Sequence, residues 1–108
     1  KVLLYDILQS GKHVQDFVSG KKFDDYKKEE LLRSGVERKF EIIGEALNRL
    51  VRIHPEIAEE IEELPRIVGF RNVLAHGYET VKDEVVWAII QRDLPSLLSQ
   101  VELMLGKK

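Results

Sequence analysis

An arginine, an amide, an imidazole and a phenol fall within eight residues at Arg71-Asn72-Val73-Leu74-Ala75-His76-Gly77-Tyr78, inside an otherwise plain helical sequence. No other segment unites a permanent cation, a group that exchanges protons near neutral pH and a second polar ring. At ~100° per residue, Arg71 and Tyr78 lie about 20° apart around a straight helix, whereas Arg71 and His76 lie about 140° apart. The reach of the arginine and a helix end at Gly77 are the two things that can bring guanidinium and imidazole together. Asn72 and His76 share a face at i and i+4, so Asn72 can hold the imidazole in one tautomer. A histidine in a last helical turn also feels the negative end of the helix dipole, which favours its protonated form.

A guanidinium beside an imidazole suits phosphodiester chemistry on RNA. The imidazole can take a proton from the 2′-hydroxyl or give one to the leaving oxygen, and the guanidinium can stabilise charge on the phosphorane-like transition state. This chemistry calls for no metal and no cofactor. One histidine cannot easily serve as base and acid at once, so a symmetric dimer that brings two copies together would help. The plainer alternatives are an ion-paired surface arginine, a capping or core histidine, and a half-buried tyrosine anchor.

The elements around this stretch are all helical. Leu4, Ile7, Gly11, Val14 and Val18 repeat at spacings of three and four, which predicts an amphipathic helix over Val2 to Val18 closed by Ser19-Gly20. Phe23 and Tyr26 read as aromatic anchors on a short lead-in. A long helix is expected from about Lys27 to His54, ended by Pro55. Its seam is Leu32, Val36, Phe40, Ile43, Leu47 and Leu50, widened by Ile42, Ala46 and Ile53, and its length is roughly 40 Å. Arg38, Glu45, Arg49 and Arg52 share a polar stripe on it. An exposed, salt-bridged face suits Arg49 and Arg52, while Arg38 and Glu45 could also line a cleft or a dimer seam.

Pro55 fits the start of a short helix over Glu56 to Glu62, whose cluster Glu59, Glu60, Glu62 and Glu63 reads as solvated surface. Pro65 marks the next helix start and carries the chain into the arginine-histidine stretch. Thr80 to Asp83 has capping-box spacing before a last helix with Val86, Ile89, Ile90, Leu94, Leu97, Leu98, Val101 and Leu105 inward and Trp87 as an anchor. Pro95 should kink that helix or restart it. No stretch alternates with a period of two. The expected fold is an all-α bundle of four to five helices, up and down, in a single domain spanning residues 1–108. A di-metal bundle site would need inward Glu and Glu-x-x-His sets, which neither His13 nor His54 completes.

Composition narrows the function. The chain has no cysteine, which removes disulfides, thiolate nucleophiles and cysteine-bound zinc. No leader and no apolar run near ~20 residues is visible, so a cytoplasmic protein without membrane association is expected. Seventeen basic against nineteen acidic residues give a charge of −2, which argues against a general nucleic-acid coat driven by counterion release.

Arg71, four residues, His76, one residue, Tyr78 resembles the signature of the HEPN superfamily, and specifically its HepT-like toxins. The likeness extends to Glu37-Arg38-Lys39-Phe40-Glu41-Ile42-Ile43-Gly44-Glu45-Ala46, to Ile67-Val68-Gly69-Phe70-Arg71-Asn72, and to Val86-Trp87 with Asp93-Leu94-Pro95. The resemblance implies a HEPN-type bundle that forms a homodimer, with two motifs meeting in a composite cleft. It implies a metal-independent endoribonuclease with Arg71 and His76 as the catalytic pair and Asn72 in support. It further implies a type VII toxin–antitoxin pair, in which a minimal, MntA-like nucleotidyltransferase antitoxin adds AMP to Tyr78. With a net acidic charge, RNA affinity must come from the cleft, with Arg38 and Arg66 as contributors. The alternative is a non-catalytic helical dimer that serves as binding partner of the nucleotidyltransferase.

Overall fold

The computed structural model describes residues 2–76 and 82–106, the side chains of residues 75 and 76 excepted, and among them every regular element is helical. Helix α1 (Val2–Val18) buries Leu4, Ile7, Ser10, Gly11 and Val14 on one face, as the spacing predicts. It ends at Gly20, whose φ of 74° lies in the left-handed region that glycine reaches without a Cβ penalty. Gly11 lets another helix close in, because a Cβ there would fall 2.9 Å from Leu98 Cδ1.

The lead-in is a helix of its own, α2 (Phe23–Lys28), with Asp25 accepting from the Lys22 N–H at 2.9 Å to cap its start. Tyr26 on α2 is fully buried against Trp87, with ring centroids 5.7 Å apart. The long helix therefore begins three residues later than its periodicity suggests, as α3 (Glu30–Ile53). Glu29 is extended at the junction, and Arg33 Nη1 donates to the carbonyls of Tyr26 and Lys27, which a continuous helix would have bonded internally. The bend sends Tyr26 into the core.

Helix α3 is 24 residues, or about 36 Å, and is the central rod. Val36, Phe40, Ile43, Leu47 and Leu50 are buried along it, joined by Ala46. Ile53, expected to widen the seam, is 59% exposed, because the helix stops there and Pro55 turns the chain away. The next helix, α4 (Pro55–Ala58), is much shorter than the acidic run suggested. Glu59, Glu60 and Glu62 lie in exposed turns.

Helix α5 (Leu64–His76) and α1 both pack along α3. Phe40 and Phe70 meet edge to face at 5.2 Å and 81° to anchor the α3–α5 crossing. Helix α6 (Asp83–Ala88) begins at Asp83 with Lys82 as its cap residue, whose side chain makes no cap bond. The capping box expected from Thr80 falls outside the described residues.

One π-helical turn, Ile89–Asp93, then leads into α7 (Leu94–Gly106), with the Leu94 N–H donating to the Ile89 carbonyl five residues back. The widened turn answers Pro95. It absorbs one residue of register just before a residue that lacks an N–H, and it keeps Ile89, Ile90, Leu94, Leu97, Leu98 and Val101 all inward. Asp93, in that turn, is only 7% exposed and pairs with Arg66 Nη1 of α5. No described helix is long and apolar enough to cross a membrane.

Candidate functional site

Helix α5 turns Ile67 and Phe70 fully into the core and Leu74 partly so, a stripe at i, i+3 and i+7. The i+4 position of that stripe is Arg71. A cation thus occupies a place where a bundle helix ordinarily puts an apolar side chain. Gly44 on α3 makes this possible, since a Cβ on Gly44 would overlap Arg71 Cβ and Cγ and lie 3.1 Å from Cδ. The arginine stem therefore lies directly on the α3 backbone, and its side chain is 24% exposed.

The guanidinium is held from two sides. Nη2 donates to Glu45 Oε2 at 2.9 Å, and Nη1 donates to Asn72 Oδ1 at 3.3 Å. Nε is buried with no partner among the described residues. Asn72 contacts Arg71, and the contact with His76 expected of it falls outside the described residues. His76 is the last residue of α5, with its side chain outside the described residues, and Tyr78 also lies outside them.

Arg71 forms one wall of a groove of about 390 Å³ between the start of α1 and the middle of α3, lined also by Leu3, Asp6, Arg38, Glu41, Ile42, Glu45, Ala46 and Arg49. Arg38 and Glu45, left open as cleft residues on sequence grounds, both line it. Arg49, assigned to a salt-bridged outer face, lines it too, because that stripe of α3 turns toward α1. Arg66 is not among its lining residues; it ties α5 to the π turn through Asp93. Arg38 leans on Glu41 at 3.6 Å.

Sequence reasoning missed Gly44, Asp6 and Glu41. Gly44 had a legible signal, because a glycine inside a long helix costs about 1 kcal/mol relative to alanine and implies a close approach. Asp6 and Glu41 had none, since each looks like any carboxylate on a solvated helix face.

Near the α2–α6 contact, burial and then the Asp83 carboxylate raise the Glu37 pKa, and burial also pushes the Tyr26 phenol up. His13 is half-buried against Phe17, with ring centroids 6.4 Å apart. Among the described residues no three His, Asp or Glu side chains come together as a metal cluster.

A helical bundle that sets an arginine at a core position, ahead of a histidine five residues on, defines a class of protein that the comparisons specify. A family profile described as "Ribonuclease HepT-like" matches residues 7–104, and the chain belongs to that family. It is 32% identical over 106 residues to "Putative RNase MJ1380" of Methanocaldococcus jannaschii, covering 96% of this chain and 94% of that protein. It is 34% identical over 107 residues to "Putative RNase TTE0752" of Caldanaerobacter subterraneus, covering 97% and 93%. "Probable ribonuclease HepT" of Thermococcus cleftensis is 33% identical over 106 residues, covering 94% and 92%. No solved structure matches the chain significantly.

Proposed function

We infer that this protein is a metal-independent endoribonuclease whose site is completed by a second copy of the chain. Arg71 stabilises charge on the scissile phosphate, and His76 moves the proton between the 2′-hydroxyl and the leaving 5′-oxygen. O2′ attacks phosphorus, the bond to O5′ breaks, and the products carry a 2′,3′-cyclic phosphate and a 5′-hydroxyl. The observation that carries the reading is the carriage of Arg71. A guanidinium seated on Gly44, braced by Glu45 and Asn72 and facing a groove is a preorganised cation, the arrangement that electrostatic catalysis needs. Membership of the HepT-like ribonuclease family supports the same substrate class.

The protein acts in this reading as the toxin of a type VII toxin–antitoxin pair. A nucleotidyltransferase antitoxin silences it by transferring AMP to Tyr78. A bulky anion two residues from His76 would block the site and repel the RNA backbone. The test is cleavage of RNA in excess chelator by wild type, Arg71→Ala and His76→Ala. Cleavage by wild type alone supports the enzyme. Absence of cleavage, or equal cleavage by all three, rejects it in favour of a non-catalytic partner of the nucleotidyltransferase. For the switch, the protein is incubated with its partner enzyme and ATP; a gain of one adenylyl group that Tyr78→Phe abolishes is expected, and an unchanged mass rejects Tyr78 as acceptor.

A further inference from the structure

The groove beside Arg71 contains six charged side chains, and they do not all have partners. Arg71 is paired with Glu45 at 2.9 Å and Arg38 leans on Glu41 at 3.6 Å. Asp6, from α1, and Arg49, from α3, are left over. They carry opposite charge, both are exposed, and neither pairs with the other or with any other described residue. Leu3, Ile42 and Ala46 supply apolar surface in the same groove.

This inventory selects a ligand class. The three arginines and three carboxylates balance, so a ligand made of phosphates alone gains little from the groove as a whole, and a simple cation gains no more. A ligand with an anionic end, an N–H donor end and a flat apolar middle satisfies both leftover charges and the apolar surface. A volume of about 390 Å³ lies at the small end of the range for ligand pockets, ~300–1,000 Å³.

We propose that this groove is a one-nucleotide subsite of the ribonuclease, in which Arg49 takes a phosphate neighbouring the scissile one and Asp6 reads the base. The proposal rests on the nuclease reading only for the strand that fills it, since Arg71 at its edge is where the scissile phosphate would lie. Asp6, ionised, only accepts hydrogen bonds. Guanine presents two adjacent donors on its Watson–Crick edge, N1–H and the 2-amino group, and meets a carboxylate with two parallel bonds. Adenine and cytosine present an amino donor beside an acceptor, and uracil presents one imino donor between two carbonyls. The subsite therefore prefers guanine, read in a single strand whose base edges are open.

Two measurements on the full chain test this. In the first, guanosine and adenosine 5′-monophosphates are bound to wild type, Asp6→Asn and Arg49→Gln by equilibrium dialysis, with circular dichroism confirming that the variants fold. The expected result is a roughly tenfold preference of wild type for the guanine nucleotide, the size of a charge-assisted hydrogen bond. Asp6→Asn erases the preference, and Arg49→Gln weakens both nucleotides alike. Equal binding of the two nucleotides by wild type, no binding of either, or a preference untouched by Asp6→Asn overturns the proposal. In the second, short RNAs differing in one base are cleaved by the same proteins. Cleavage without an Asp6-dependent base preference overturns the subsite and leaves the nuclease standing. Absence of cleavage with Asp6-dependent guanine binding does the reverse.

Discussion

Gly44→Ala is the sharpest perturbation of the site, because it adds one methyl group far from any group that does chemistry. The new Cβ would overlap Arg71 Cβ and Cγ and lie 3.1 Å from Cδ. Ordinary carbon contacts sit at ~3.5–4.0 Å, so the arginine stem must retreat by roughly 1 Å. The obstructing atoms include Cβ, which is fixed to the backbone, so a rotamer change cannot relieve the overlap and α5 itself must move. Overpacking of this kind costs about 1–3 kcal/mol. Alanine's better helix propensity returns up to ~1 kcal/mol, leaving a net loss of about 0–2 kcal/mol.

That is a fall of several degrees in Tm for a domain of this size. Activity should fall much further, since a ~1 Å displacement of a positioned group costs on the order of 10²-fold. The assay is thermal unfolding alongside kcat/KM on a short RNA at a temperature where both proteins are folded. Gly106→Ala is the control: a Cβ there has nothing within 4 Å among the described residues, so Tm should hold or rise slightly and kcat/KM should stay at the wild-type value. A Gly44→Ala protein with raised Tm and wild-type kcat/KM would refute the close packing of Arg71 on α3 and the role built on it.

Glu45→Ala should lower kcat by ~10-fold or more with little change in KM, and Glu45→Gln should recover part of it by keeping an acceptor for Arg71; faster cleavage by Glu45→Ala would mean that Glu45 competes with the substrate instead. Arg66→Ala leaves the Asp93 carboxylate nearly buried and unpaired, so urea unfolding should show a loss of about 1–3 kcal/mol, and an unchanged midpoint would count against that ion pair as the tie between α5 and the π turn. Burial, then Asp83, raise the Glu37 pKa, with Arg33 opposing and Glu41 adding, so the folded chain holds that proton more tightly than the unfolded one and ionised Glu37 costs stability. Glu37→Gln should therefore exceed wild type in stability near neutral pH and converge with it as pH falls below the unfolded value of ~4.3; a gap independent of pH would reject this. Val73, 46% exposed on α5, should tolerate Asp in an isolated chain, whereas Val73→Asp should shift sedimentation toward monomer if that face meets a second copy, and an unchanged oligomer would remove the face from the interface.

What the sequence made legible is what repeats. The bounds of α1 and the buried seam of α3 follow from apolar spacing, and Pro55, Pro65 and Gly20 mark ends because each has a backbone constraint that acts locally. What it hid depends on partners distant in the chain. Glu29 carries no sign of the break before α3; the break follows from Tyr26 finding Trp87 some sixty residues later and from Arg33 capping the freed carbonyls. Arg66 looks like any cleft cation until Asp93 appears beside it, and Asp93 became buried because Pro95 brought a π turn. Arg71 was legible as a chemical residue, but its brace Glu45 lies 26 positions away on another helix. Gly44 could have been found, since a mid-helix glycine opposite a predicted site needs a reason.

The same packing bears on why a second copy enters the reading. Arg71 is committed to the α3 side of α5 by Gly44 and Glu45. The helix continues to His76, and five residues carry position 76 about 140° around the axis from position 71. Position 76 instead falls on the side shared with Gly69, Asn72 and Val73, all exposed. One chain therefore offers its cation and its histidine position to different sides of the same helix. If both act on one phosphate, a second copy whose histidine side meets this chain's arginine side is one way to bring them together. Two copies would also resolve the need for one imidazole to accept a proton while another donates one.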